Sequence, residues 1–396
     1  MSSNPYRKDF PLLENNKVIY LDNAATTQVY PEVLDVMLPY FTEHYGNPAA
    51  IYSFAGESER AVAKARKQIA DVIGAKTEEI YFTGGGSESD NWALKATAEA
   101  YSSKGKHIIT SAIEHHAILH TAQWLELHGF EVTYVGVDEN GKIKLDELEA
   151  AIRPDTILIS VMAANNEVGT IQPVEEIGRE IRKGGNKRTI FHTDAVQAVG
   201  HIPVDVQKMG VDMLSLSAHK FGGPKGVGVL YCRNGIILDP LLFGGGQERG
   251  NRPGTENTPG IVAMAVAMRE ACENMGRAAA KTRELRDRLI RRIKEIPDSY
   301  IHGSLEKRLP GNINCSFAGV EGEAVVIMLD LAGVCASSGS ACTSGTGEPS
   351  HVLTAMGLSR KDAYGAIRIT LAETNTEAEV DYIGDQLAEI VRKLRG

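Results

Sequence analysis

Cysteine is scarce in this sequence: five residues in a chain of 396, at positions 232, 272, 315, 335 and 342. The number is odd and no Cys-x-x-Cys occurs, which excludes a disulfide framework and a zinc knuckle. Long apolar runs are missing too, and none approaches the roughly 20 residues that cross a bilayer. Met1 to Asp9 lacks the apolar core of a signal peptide. Basic excess is also absent; a net charge of −9 argues against a nucleic-acid partner. No internal repeat or low-complexity tract occurs. These absences leave a cytoplasmic protein acting on small molecules or other proteins, with no membrane and no nucleic-acid role. The length suits two domains.

What is present is alternation. Short apolar runs at Glu79–Phe82, His107–Ser111, Glu131–Val137, Thr156–Ala163, Thr189–Thr193, Val211–Leu216 and Val227–Cys232 predict seven strands. Helical spacing separates several of them, as at Asn91–Tyr101 and Ile118–His128, the latter stopped by Gly129. Before them, Val18–Leu21 predicts an edge strand, and Val62, Ala65, Ile69 and Val72 mark a helix closed by Gly74. The expectation is an α/β fold, a mainly parallel seven-stranded sheet with helices on both faces. A long helical stripe through Leu285, Leu289 and Ile293 leads into a second pattern, with strands at Asn312–Phe317, Ala332–Ser338 and Ala366–Thr370. The predicted division is a large domain over 18–265 and a smaller α+β domain from 1–17 and 266–396.

In such sheets ligands sit beyond the carboxyl ends of the strands, so the loops there carry the chemistry. Lys220 stands in Ser217-Ala218-His219-Lys220-Phe221-Gly222-Gly223-Pro224-Lys225-Gly226, between two strands. It is a turn lysine or, in suitable company, an amine that condenses with a carbonyl. Gly84-Gly85-Gly86-Ser87 follows a strand and opens a helix, offering free N–H groups to an anion; Ser87 with Asp90 also fits a capping box. The loop is neither a Walker loop nor a dinucleotide fingerprint, so a phosphate fits and a dinucleotide does not. Asp194 ends a buried-looking strand one strand–helix–strand unit before Lys220. It reads equally as a helix cap or as the partner of a protonated ring nitrogen, the contact that makes pyridoxal phosphate an electron sink. Glu114-His115-His116 follows another strand end and offers an imidazole for stacking or proton transfer. Cys342 lies among small, flexible residues with almost no apolar cover, unlike the other four, which read as small buried apolar side chains.

The sequence resembles the cysteine desulfurases of the NifS/IscS type, fold-type I pyridoxal-phosphate enzymes, over essentially its whole length. The motifs that carry the resemblance are Leu21-Asp22-Asn23-Ala24-Ala25-Thr26-Thr27, Asn165-Asn166-Glu167, Ser217-Ala218-His219-Lys220 with Gly223-Pro224-Lys225-Gly226, Ser338-Gly339-Ser340-Ala341-Cys342, and Arg368-Ile369-Thr370-Leu371. The resemblance implies pyridoxal 5'-phosphate as cofactor and conversion of L-cysteine to L-alanine, with sulfur left on Cys342 as a persulfide. That sulfur would serve an iron–sulfur scaffold, tRNA thiolation or another acceptor protein. By the same resemblance Lys220 forms the Schiff base, His115 stacks on the ring, Asp194 holds the ring nitrogen and Gln197 the phenolic oxygen. Gly86, Ser87, Ser217 and His219 hold the phosphate, joined by Thr255 from the neighbouring subunit of a homodimer. Asn166 lies beside ring and substrate, and Arg368, with Asn47 nearby, binds the substrate carboxylate. No intrinsic metal is implied, although Cys342 could ligate a shared iron–sulfur cluster. Pro253, Tyr52, Gly345, Gly347 and Ala372 depart from the usual pattern without removing a catalytic group. The alternatives are a selenocysteine lyase or aminotransferase, a non-catalytic scaffold-binding partner, and, remotely, a zinc hydrolase built on the histidines.

Overall fold

The structure, a computed structural model, describes residues 18–183, 189–338 and 349–396. Its strands in chain order are β1 (Ile19–Tyr20), β2 (Ile80–Thr83), β3 (His107–Ser111), β4 (Glu131–Val135), β5 (Thr156–Ser160), β6 (Ile190–Asp194), β7 (Met213–Ser217) and β8 (Gly228–Cys232), followed by β9 (Ser299–His302), β10 (Asn312–Phe317), β11 (Val334–Cys335) and β12 (Ala366–Thr370). β2 to β8 form one seven-stranded sheet in the order β2-β8-β7-β6-β5-β3-β4. All its pairings are parallel except those of β8, which is antiparallel to both β7 and β2.

Every residue of β3, β5, β6, β7 and β8 is buried. Helices cover both faces of a parallel sheet, so its central strands carry apolar runs instead of alternation. The Gly56–Ile73 helix ends where Gly74 turns left-handed, at φ 71°, as the sequence pattern requires. The Gly86–Tyr101 helix differs from expectation. It starts five residues before Asn91, with Gly85 at the cap position, so Ser87 lies inside the helix and caps nothing. Asp90, the other half of the expected box, turns inward and is buried.

The second sheet is antiparallel, in the order β12-β10-β9. β9 has no counterpart among the predicted strands, because it is half exposed and polar at both ends. The predicted Ala332–Ser338 strand shrinks to β11, which pairs with β1. Beyond it, Ser337 exchanges backbone hydrogen bonds with Arg368 of β12. The Thr258–Lys294 helix joins the two sheets: Ile261, Met264 and Met268 pack in the core of the large sheet, and Leu285, Leu289 and Ile293 in that of the small one. Residue 265 falls inside this helix. No helix among the described residues is long and apolar enough to cross a membrane.

Candidate active site

Topology decides which loops meet. β2 lies antiparallel to β8 and β8 antiparallel to β7, so β2 points the same way as β7. The carboxyl ends of β2, β3, β6 and β7 therefore open on one edge, at Thr83, Ser111, Asp194 and Ser217. Directly after or at these ends come Gly84–Ser87, Glu114–His115, Asp194–Gln197 and Ser217–Lys220.

Lys220 ends a short turn, Ala218–Lys220. Its Nζ donates to the carbonyls of Ala24, at 2.5 Å, and Ala25, at 2.8 Å. Gln197 Nε2 donates to the same Ala24 carbonyl at 2.9 Å. The Asp22–Thr27 segment thus wraps the lysine, and its threonines fasten it. Thr27 donates from N and Oγ1 to the His219 carbonyl, at 2.8 and 3.0 Å, and His219 Nδ1 lies 3.1 Å from Thr26 Oγ1. The residues themselves read only as a polar turn after a strand, and no local pattern in them marks the contact.

The glycine run brings backbone against backbone. A Cβ on Gly228 would lie 2.7 Å from Gly85 Cα, and one on Gly85 would meet Ser217 Oγ at 3.7 Å. The start of the Gly86–Tyr101 helix therefore abuts the end of β7, with its positive end toward the lysine turn. Gly84 N donates to Glu88 Oε2 at 2.8 Å, and Arg252 Nε fixes Glu88 Oε1 at 2.8 Å.

Asp194 is buried and accepts from Val196 N at 2.9 Å. Burial pushes its carboxyl up to about 6, opposed by that N–H and by the positive charge of Lys220. His115 caps the His116–Leu127 helix, its Nδ1 accepting from Ala117 N at 3.1 Å. Burial, with Lys220 and two other histidines nearby, lowers its pKa to about 4. The ring is neutral at physiological pH, and with Nδ1 accepting, its proton sits on Nε2.

Arg368, on β12, is 1 % exposed. Its Nη2 donates to Asp22 Oδ1 at 2.7 Å and its Nη1 to the Asn166 carbonyl at 3.3 Å, while Nε has no partner among the described residues. Asn165 holds the Asn166 turn by accepting from Glu167 N and Val168 N, at 2.8 and 2.9 Å. Cys342 lies outside the described residues, but the flanks of its segment do not. Ser337 is bonded to Arg368 on one side. On the other, Ser350 Oγ donates to Glu167 Oε2 at 2.5 Å and His351 Nε2 lies 3.0 Å from the Glu114 carbonyl.

Two expected residues stand apart. Asn47 is exposed and spends its side chain on Ala49 N, at 3.0 Å. Thr255 is exposed beside Gly84 and Gly226. Among the described residues no hydrogen bond ties either to the lysine cluster. Of the four other cysteines, Cys232 and Cys315 are buried as expected, whereas Cys272 and Cys335 are only partly covered.

Residues 19–383 match the aminotransferase class-V family. This chain belongs to that family. Among class-V relatives, cysteine desulfurase IscS of Methanosarcina thermophila is 53% identical over 380 residues, spanning 96% of this chain and 93% of its own. A NifS-like protein of known structure superposes with a TM-score of 0.90 at 44% identity, covering 95% of this chain and 100% of that one. A second, described as SspA in complex with cysteine, gives 0.80 at 39% identity over 90% and 99%.

The class-V cofactor is pyridoxal phosphate, and the residues present fit it. An amine, a buried carboxylate, a neutral imidazole and an open helix N-terminus share one edge of the sheet, which is the donor set that an aldehyde, a pyridine nitrogen, an aromatic ring and a phosphate require. At Gly85 the nearest side-chain atom to a built Cβ is Ser217 Oγ at 3.7 Å, so the helix start keeps room for an anion there, although Glu88 already accepts from Gly84 N.

Proposed function

We propose that this class-V enzyme is a cysteine desulfurase that takes sulfur from L-cysteine onto Cys342 and passes it to an acceptor protein. The observation that carries the reading is the anchoring of both flanks of the Cys342 segment beside the lysine edge, at Arg368 on one side and at Glu167 and Glu114 on the other. Aminotransferase chemistry needs the lysine edge but no cysteine between such anchored flanks.

Bound pyridoxal phosphate supplies the electron sink that labilises the substrate's Cα proton and its carbon–sulfur bond. The chain's own residues do the rest. Gly86, Ser87, Ser217 and His219 would hold the phosphate, Asp194 the ring nitrogen and Gln197 the phenolic oxygen. His115 would lie against the ring and present its Nε2–H there. Arg368 takes the substrate carboxylate in its two-pronged donor, with Asn166 beside it. Lys220 Nζ accepts the Cα proton and returns it. The Cys342 thiolate attacks the substrate sulfur: a sulfur–sulfur bond forms, the carbon–sulfur bond breaks, and a proton replaces sulfur on Cβ. L-cysteine and one thiol thereby give L-alanine and one persulfide, with no external oxidant or reductant.

The same reading makes the enzyme a cytoplasmic homodimer. Ile51 and Phe243 are almost wholly exposed, Tyr45 largely so, and Tyr52 and Phe54 about half, in the stretches that flank Asn47 and precede Thr255. Such apolar surface calls for a partner, and a second copy would cover it while bringing Thr255 to the neighbour's phosphate. The division into 18–265 on one side and 1–17 with 266–396 on the other belongs to this reading as well, with the Thr258–Lys294 helix crossing it. The persulfide would feed iron–sulfur cluster assembly or tRNA thiolation. The test is product analysis: the loaded enzyme given L-cysteine should form alanine and protein-bound persulfide in equal amounts. Pyruvate, or an amino group transferred to the cofactor, would overturn the reading.

A further inference from the structure

Three carboxyls lie buried behind the lysine edge, and the proposed reaction uses one of them. Glu114 is tied down by Ser111 Oγ, at 2.5 Å, and Met162 N, at 2.9 Å. Asp90 is not accounted for. It projects from the Gly86–Tyr101 helix onto β6 and β7, is 1 % exposed, and its Oδ1 has no hydrogen-bond partner among the described residues. Against it runs a row of buried polar side chains on three neighbouring strands. Ser160 Oγ of β5 lies 2.9 Å from His192 Nδ1 of β6; His192 Nε2 lies 3.0 Å from Ser215 Oγ of β7 and 3.8 Å from Asp90 Oδ1. Ser215 is also the register partner of Asp194. The row therefore ends beside the carboxylate assigned to the ring nitrogen.

Electrostatics decides which of the two aspartates carries charge. Two carboxyls in one low-dielectric pocket do not both ionise. Asp194 has what stabilises a carboxylate, the Val196 N–H and the charge of Lys220. Asp90 has neither. Its one basic neighbour, His192, is kept neutral by burial, with its pKa lowered to about 3. Burial, and then the like charge of Asp194, hold the pKa of Asp90 well above the usual carboxylate range; the Ser215 hydrogen bond opposes them without offsetting them, and the neighbouring Glu114 carboxyl adds to the rise. An unpaired buried carboxylate is not sustained where a neutral acid is available.

We infer that Asp90 is a positioning residue of the cofactor site: it keeps its own proton on the Ser160–His192–Ser215 row, so that Asp194 is the aspartate that bears negative charge toward the ring nitrogen. The inference rests on the role proposed above for Asp194. It also fixes the polarity of the row. Asp90 donates toward Ser215 Oγ, Ser215 donates to His192 Nε2, and His192 carries its proton on Nδ1, facing Ser160. An ionised Asp90 would reverse all three.

Infrared spectroscopy reads this without any turnover. The cofactor-loaded wild type at neutral pH should show a protonated-carboxyl stretch that is missing from Asp90→Asn, an isosteric change. In Asp194→Asn the titration of that band should move to lower pH, because the like charge that opposes ionisation of Asp90 is gone; a carboxyl with a purely structural role would titrate unchanged. If Asp90→Asn does not fold, wild type carrying carboxyl-labelled aspartate should show one protonated aspartate whose band shifts with the label. Loss of only a carboxylate band in Asp90→Asn, no labelled acid band, or a midpoint indifferent to Asp194→Asn would overturn the inference. Cofactor affinity measured on Asp194→Asn separates the two failures. An unchanged affinity overturns the role of Asp194, and with it anything for Asp90 to position, whatever the infrared bands show.

Discussion

Arg368 Nη2 sits 2.7 Å from Asp22 Oδ1, so the guanidinium assigned to the substrate carboxylate already holds an anion. The pair also bolts β12 to the segment whose Ala24 and Ala25 carbonyls receive the Lys220 amine. A buried arginine left without its carboxylate is costly, which makes Asp22 as much a part of the site as the lysine it steadies.

Arg368→Lys keeps the charge and loses the fork. It is expected to raise KM for L-cysteine about tenfold or more, with a smaller change in kcat, since a point charge replaces a bidentate donor. Asp22→Asn should cost about 2–5 kcal/mol of stability by orphaning the buried guanidinium. Steady-state kinetics and chemical denaturation check the two. An unchanged KM in Arg368→Lys would remove Arg368 from substrate binding.

Gly228→Ala places a methyl 2.6 Å from the Leu216 carbonyl and 2.7 Å from Gly85 Cα. Both neighbours are backbone and cannot swing away. The variant should lose about 1–3 kcal/mol of stability and bind cofactor more weakly, because Gly85 begins the helix that faces the phosphate. Wild-type cofactor affinity in a destabilised Gly228→Ala would separate the glycine approach from the anion site.

Acid should destabilise the cofactor-free protein. Burial lowers the pKa of His192 from 6.5 to about 3 and those of His115 and His302 to about 4. A ring whose folded pKa is depressed contributes stability that is present above pH 6.5 and lost as pH falls toward the folded value. Glu114 acts in the opposite direction. Burial raises it from 4.5 to about 8, so its contribution is present below pH 4.5 and lost as pH rises toward 8. Melting temperature should therefore fall from pH 6.5 toward 4. Glu114→Gln should gain on wild type progressively between pH 4.5 and 8; a constant gap across that range would contradict the neutral Glu114.

One thiol should react quickly. Burial pushes Cys232 and Cys315 up to about 12 and also raises Cys272 and Cys335. The thiolate is the reactive form, so none of these four competes near neutral pH. Limited alkylation of the native protein should mark Cys342 first, and Cys342→Ser should abolish the fast phase. Fast labelling at any of the other four would contradict the assignment.

The strands buried at every residue were legible as runs whichever way they pair: parallel β3 and antiparallel β10 and β12 all have the bounds that their sequences suggest. β9, polar at its ends and half exposed, carries no such run. At Gly84–Gly86 the glycines hide where the helix begins, since their low helix propensity reads as loop while their free N–H groups are what the helix end presents. Long-range contacts were the least visible. Nothing in Asp22–Thr27 alone says that its carbonyls meet a lysine 196 positions later. Among the described residues no hydrogen bond brings Asn47 to Arg368 or Thr255 to the lysine cluster, so the single chain does not display the roles expected of them.

The most direct test is peptide mapping by mass spectrometry after brief exposure of the loaded enzyme to L-cysteine. The peptide holding Cys342 should gain one sulfur in wild type and none in Lys220→Ala. Sulfur on another cysteine, or on Cys342 in the protein lacking Lys220, would contradict the account.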